Sequence, residues 1–291
     1  MTPAGQMHPA AEARRPRWRG RAVLAGATAV AVLAGALGAR WLVDEFRNPA
    51  CEFTVGDQAE RRTPEQAANA STISMVSLQR GLPPKAATIA LATAVQESKL
   101  RNLSYGDADS LGLFQQRPSQ GWGTPEQVTD PVYAANAFFA ALEAVPGWSE
   151  WVVTEIAQEV QRSAYPDAYA DHEAEARVMA SALVGQTHAG VACRLDPVAA
   201  AGSPDDVLAK AERTFSGQGS VDGTTVTLQG TALDEAWAIA SWAVTHAETE
   251  SITSVQVADR QWLRDQDPLT WHQVSDGDPT GTTVTITVAN D

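Results

Sequence analysis

The chain has 291 residues, 44% of them hydrophobic, enough to bury a full core, which excludes a disordered chain. Its net charge of −14 divides sharply: residues 1–40 hold six Arg against the single acid Glu12, and the remainder, with 15 basic and 34 acidic side chains, carries −19. So acidic a body excludes nucleic acid as a partner, because such binding needs cations that displace phosphate counterions; the acids form a solvated surface.

The first predicted element follows the arginines. Ala22 to Ala39 contains no charged residue, and eighteen helical residues span about 27 Å, close to the hydrocarbon core of a bilayer. Residues 1–21 are expected to be a cytoplasmic basic tail, and 22–40 a transmembrane helix or signal anchor. Trp41 suits the far interface, and everything after it is expected outside. The alternative is secretion after cleavage of a signal peptide, since Ala36-Leu37-Gly38 resembles a small-residue cleavage site.

Thr63-Pro64-Glu65-Gln66 supplies an N-cap, a proline at the first helical position and a capping-box Gln, predicting a helix over about 64–80, stopped by Gly81. Pro83-Pro84 opens a second helix to about Leu100. Residues 104–123, rich in Gly, Ser and Asp, read as loop and short strands. Asp130-Pro131 starts a helix that Pro146-Gly147 breaks, and further helices are expected near 152–162 and from Pro166 to Val184. The result is a mainly helical domain over residues 51–195. Residues 196–223 read as a linker with a short helix begun at Ser203-Pro204 and a flexible stretch from Ser216 to Gly223. Residues 224–291 give a strand, helix, strand, strand pattern, a small α+β domain whose four tryptophans suit either its core or sugar stacking.

The two cysteines, Cys51 and Cys193, both fall on the exported side and are expected to pair, the alternative being two buried thiols. Two Cys and five scattered His show no metal-ligand spacing, and no cofactor is implied.

The chemistry concentrates between Ala94 and Gly123. Glu97 sits in the last turn of the second helix, over Thr93, Ala90 and Ile89, small and apolar neighbours. Burial and the negative end of the helix dipole both favour its protonated form, the state a general acid for glycoside cleavage requires. A surface pair with Arg101 at i+4 is the plainer alternative. The run Glu97, Ser98, Asn102, Ser110, Gly112, Leu113, Gln115 resembles the signature of the lysozyme-like superfamily, especially soluble lytic transglycosylases and goose-type lysozymes.

The resemblance covers about residues 60–185. It implies an α+β, mainly α-helical lysozyme-like fold acting on peptidoglycan glycan strands, with Glu97 as catalytic acid. It also implies that Gly112 admits a sugar close to the backbone, and that Gln115 hydrogen-bonds near the cleaved unit. Ser98 and Gln116 join the expected substrate-binding set, and Trp122 is a candidate sugar platform or a packed anchor. Where transglycosylases carry Ala-x-Asn-x-Gly, the best counterpart is Ala157-Gln158-Glu159-Val160-Gln161, which lacks the Asn and the Gly. From the region that follows, the family often places a Tyr near the acid; Tyr165 and Tyr169 are the candidates, with helix packing as the alternative. Asp107 and Asp109 are either a second carboxylate that places water, as a hydrolase needs, or turn residues.

Two functions follow. One is a membrane-anchored extracytoplasmic enzyme cleaving peptidoglycan as a transglycosylase or muramidase. The other is a non-catalytic wall-binding or scaffolding protein whose C-terminal domain docks a cell-wall protein.

Overall fold

The computed structural model describes residues 48–161 and 166–290, without the side chains of residues 166–168. The basic tail 1–21, the expected span 22–40 and Tyr165 lie outside the described residues. Among the described residues no helix is long and apolar enough to cross a membrane.

The architecture is α+β. Helix α1 (Pro64–Gln79) starts with the expected reciprocal cap: Thr63 accepts from the Gln66 backbone while the Gln66 side chain accepts from the Thr63 backbone. After a turn at Gly81, whose φ is 67°, α2 runs Pro84–Ser98. From Ala86 to Val95 every residue of α2 is buried. A helix apolar all round must be a central one, and α1, α4 (Pro131–Glu143), α5 (Val153–Gln161) and α6 (Glu173–Leu183) all pack against it. The single turn α3 (Pro125–Val128) leads into α4, which Asp130 caps through the backbone amides of Val132 and Tyr133. The helix expected from Pro166 to Val184 is two elements, a 3-10 segment over Pro166–His172 followed by α6.

A three-stranded antiparallel sheet, β2 (Gln58–Arg62), β1 (Ala50–Val55) and β3 (Val191–Arg194), closes the first half of the chain. Cys51 and Cys193 face each other across β1 and β3 and form a disulfide.

The second half is a six-stranded antiparallel sheet in the order β4-β5-β9-β6-β7-β8, formed by Gly219–Asp222, Thr225–Gln229, Thr283–Val288, Ile252–Val257, Arg260–Leu263 and Trp271–Gln273. The stretch expected to be flexible, 216–223, supplies β4, paired along its length with β5. Helix α8 (Leu233–His246) covers this sheet and packs on its other side against α1. Trp237, Trp242, Trp262 and Trp271 are all buried, so they serve the core rather than stacking on sugars. The Trp271 indole donates to the Val191 carbonyl at 2.7 Å, fastening the large sheet to β3.

The stretch between the halves is equally fixed. Helix α7 occupies Pro204–Phe215, and the buried guanidinium of Arg264 donates to the Asp196 carbonyl at 2.6 and 3.0 Å. Residues Pro49–Asp291 therefore form one compact unit around a continuous apolar core.

Candidate active site

Glu97 owes its place to an abrupt end of α2. Lys99 and Leu100 both take the left-handed conformation, with φ of 55° and 59°, which costs a non-glycine residue about 1 kcal/mol or more. Two side chains of α1 hold them there: the Gln66 amide donates to the Lys99 carbonyl and the Asn69 amide to the Leu100 carbonyl, each at 2.8 Å. Leu100 is fully buried, an anchor for the reversal. Because the helix stops at Ser98, Arg101 does not continue the Glu97 face, and the alternative i+4 pair gives way to another partner.

That partner is Tyr169, whose hydroxyl donates to Glu97 Oε1 at 2.7 Å. The tyrosine is fully buried, delivered by the 3-10 segment that replaces the expected helix. The Gln161 side chain also hydrogen-bonds the carboxyl, and its amide donates to the Phe114 carbonyl at 2.7 Å. Burial pushes the Glu97 pKa above the ordinary carboxylate range, and the two hydrogen bonds oppose that shift without cancelling it. The carboxyl stays only half-buried. The shift favours the protonated form, and the carboxyl can still meet a ligand.

The loop after α2 is built by the residues expected to touch sugar. Ser98 Oγ lies 3.0 Å from the Ala94 carbonyl and 2.7 Å from that of Leu113, so this buried hydroxyl clips the loop to the helix rather than binding a ligand. Gly112, with φ of 76°, answers a close approach within the chain itself: a Cβ there would lie 2.1 Å from the Val128 carbonyl oxygen. Gln116 is buried, and its amide donates to the Ala134 carbonyl at 3.1 Å, which removes it from any surface a substrate could reach. Gln115 is half-buried, its amide nitrogen directed to the carbonyls of Gly112 at 3.2 Å and Tyr105 at 3.4 Å. The stacked rings of Phe114 and Phe138, 4.7 Å apart, dock the loop onto α4.

The two aspartates are turn residues in this geometry. Asp109 accepts from the Ser119 backbone at 2.7 Å, the Ser119 hydroxyl at 2.9 Å and Arg117 Nε at 3.0 Å. The Ser119 backbone amide, first among these donors, holds its pKa down at about 2. The Asp107 carbonyl accepts from the Ser110 amide at 3.0 Å, with its side chain exposed.

Beside the loop opens a cleft of about 800 Å³, lined by Gln120, Trp122, Val145, Pro146, Glu159 and Gln161. Trp122 is half-buried there, packed on the core along one side. Gln161 belongs to both the cleft and the Glu97 carboxyl, so it joins the two. Gln161 and Glu159 entered the sequence reading only as part of the Ala157 to Gln161 segment that departs from the family pattern, with no role of their own. The signal for Gln161 was its phase: it continues the Val153, Ala157 stripe of α5, both buried, at i+4, where a polar side chain must find a buried partner. Compared with models of known protein families and with curated proteins, the chain matches none.

Proposed function

We propose that this chain is a membrane-anchored extracytoplasmic enzyme of lysozyme-like fold that cleaves peptidoglycan glycan strands, with Glu97 as its general acid and base. The observation that carries the reading is the Glu97 carboxyl itself: raised in pKa by burial, held by Tyr169 Oη at 2.7 Å, and linked through Gln161 to an open cleft. General acids for glycoside cleavage are tuned in this way. The resemblance of the run from Glu97 to Gln115 supplies the substrate class. The Cys51–Cys193 disulfide fits an oxidising compartment outside the cytoplasm, and the arginines before residue 22 favour a single span with the body outside.

In this reading Glu97 gives its proton to the glycosidic oxygen as that bond breaks. Tyr169 and Gln161 then stabilise the carboxylate left behind, since a hydrogen bond to the charged form strengthens as charge develops. Trp122 offers the cleft an aromatic face for a sugar ring. The sugar's acetamido group stabilises the cationic centre, its 6-hydroxyl closes the ring, and Glu97 takes that hydroxyl's proton. The outcome is a 1,6-anhydro-muramyl end.

A nucleophile already attached to the substrate needs no second carboxylate to place water. The engagement of Asp109 with Ser119 and Arg117 favours this route over hydrolysis. The carboxylate that does line the cleft is Glu159. Mass spectrometry of the released sugars tests the route: anhydro ends are expected, from the wild type and from Asp107→Asn, Asp109→Asn and Glu159→Gln alike. Ends one water heavier, with activity lost in one of those variants, would make the chain a hydrolase.

A further inference from the structure

Tyr169 can hold Glu97 only if its own segment is held, and one residue at the end of that segment is placed to do so. In a 3-10 helix the turn is three residues, so side chains at i and i+3 lie on one face. Within Pro166–His172 this puts Tyr169 and His172 side by side, and they meet neighbouring residues of α2: Tyr169 reaches Glu97, and His172 Nε2 lies 3.0 Å from Gln96 Oε1. The other ring nitrogen of His172, Nδ1, lies 2.6 Å from Glu175 Oε1 at the start of α6. Glu175 is bound in turn by Arg62 of β2, which also pairs with Glu60 at 3.3 Å.

Both nitrogens of this imidazole therefore face oxygen acceptors, and only the imidazolium donates from both. The charged groups around it are Glu175 and Glu173 on α6, Arg62 and Glu60 on β2, Asp171 beside it on its own segment, and Glu97 next to Gln96 on α2.

We infer that His172 is a positioning residue, a doubly donating imidazolium that clasps the Tyr169 segment to α2 and α6 and so sets the Tyr169 to Glu97 hydrogen bond. This rests on the reading of Glu97 as the reactive carboxyl. Its consequence is that removing the imidazole releases the segment carrying Tyr169, and the donor that Tyr169 gives to Glu97 is no longer held in place.

The test uses the full chain and two readouts that do not depend on each other. Nitrogen NMR of the imidazoles at pH 7, with the His172 signals assigned by their loss in His172→Gln, is expected to show protons on both ring nitrogens. A single protonated nitrogen, meaning that Gln96 donates to a neutral ring, would overturn the clasp. Carbon NMR of the Glu97 carboxyl then follows its titration: in His172→Gln the midpoint is expected to move up, because a donor that lowers it is no longer held in place. An unmoved midpoint would also overturn the clasp. On peptidoglycan, His172→Gln is expected to lower kcat roughly tenfold, the loss of one charged hydrogen bond, with KM unchanged and the alkaline limb of the kcat profile altered. A fall in activity that only follows a fall in thermal stability, with an unaltered pH profile, would reduce His172 to a structural residue. If the wild type cleaves no glycan, the reading of function fails, and the two NMR results still decide the clasp.

Discussion

Removing the disulfide should destabilise the chain by an amount its topology sets. Cys51 and Cys193 lie 142 residues apart, and closing a loop of that size in the unfolded chain corresponds to about 5 kcal/mol in the chain-entropy model. The native state has little to lose directly. The two cysteines are a register pair in the middle of the β1–β3 ladder, flanked by Ala50 with Arg194 and by Glu52 with Ala192, so backbone pairing keeps the strands together without the bond. Both sulfurs are fully buried, and alanines in their place leave only small voids. Cys51→Ala/Cys193→Ala, unfolded in urea and followed by tryptophan fluorescence, should therefore lose about 5 kcal/mol, mostly through the unfolded state. The loop it closes holds every candidate site residue from Glu97 to Tyr169. A loss under about 1 kcal/mol would refute the reasoning, since the unfolded chain would then gain almost no freedom when the bond is removed.

Other outcomes follow from single residues. His246 is wholly buried against Trp242 and Thr72, and burial, with a smaller push from Lys210, lowers its pKa from 6.5 to about 4. Its neutral form is thus the folded one. Stability should be full above pH 6.5 and fall as pH drops toward 4, because the unfolded chain takes up the proton first, for a total of about 3 kcal/mol. In His246→Gln the slope of unfolding free energy between pH 6.5 and 4 should shrink by one proton's worth, and an unchanged slope would contradict the assignment. Gly112→Ala places a Cβ against the Val128 carbonyl at a positive φ, and should lower stability by roughly 2 to 4 kcal/mol; a melting temperature equal to wild type would show that the loop has room. Tyr169→Phe keeps the buried ring and removes the donor to Glu97, so the Glu97 midpoint should rise and kcat fall roughly tenfold or more. A carboxyl titration that does not move would remove Tyr169 from the site.

What could be read from the sequence was whatever has a local cause. The cap at Thr63, the prolines at 84, 131 and 204, and the alternation of Ile252–Val257 and Thr283–Val288 each placed an element to within a residue or two. Of the strands that were missed, Val191–Arg194 is held by β1 far along the chain, whereas Gln58–Arg62 and Gly219–Asp222 fold back on their neighbours across two-residue turns and are polar strands with no alternation to announce them. The same divide runs through the site. Glu97 drew notice through the resemblance of the run around it, since its place at a helix end suited a surface pair with Arg101 at least as well. The jobs of Ser98, Gly112 and Gln116 were not legible, because each is fixed by a backbone carbonyl brought in from another segment, that of Leu113, Val128 or Ala134. Tyr169 was one of two candidates, and the break from 3-10 to α-helix at His172, which aims it, left no mark in the periodicity of the sequence.

The most direct measurement of the central claim is the release of soluble sugar fragments from purified peptidoglycan by the wild-type chain and by Glu97→Gln. The amide is nearly isosteric with the carboxyl and can still accept from Tyr169 Oη, so the fold should survive, while no proton can be given to the glycosidic oxygen. The account predicts fragments with 1,6-anhydro ends from the wild type and none above background from Glu97→Gln at unchanged thermal stability. Release at the wild-type rate by Glu97→Gln would contradict it.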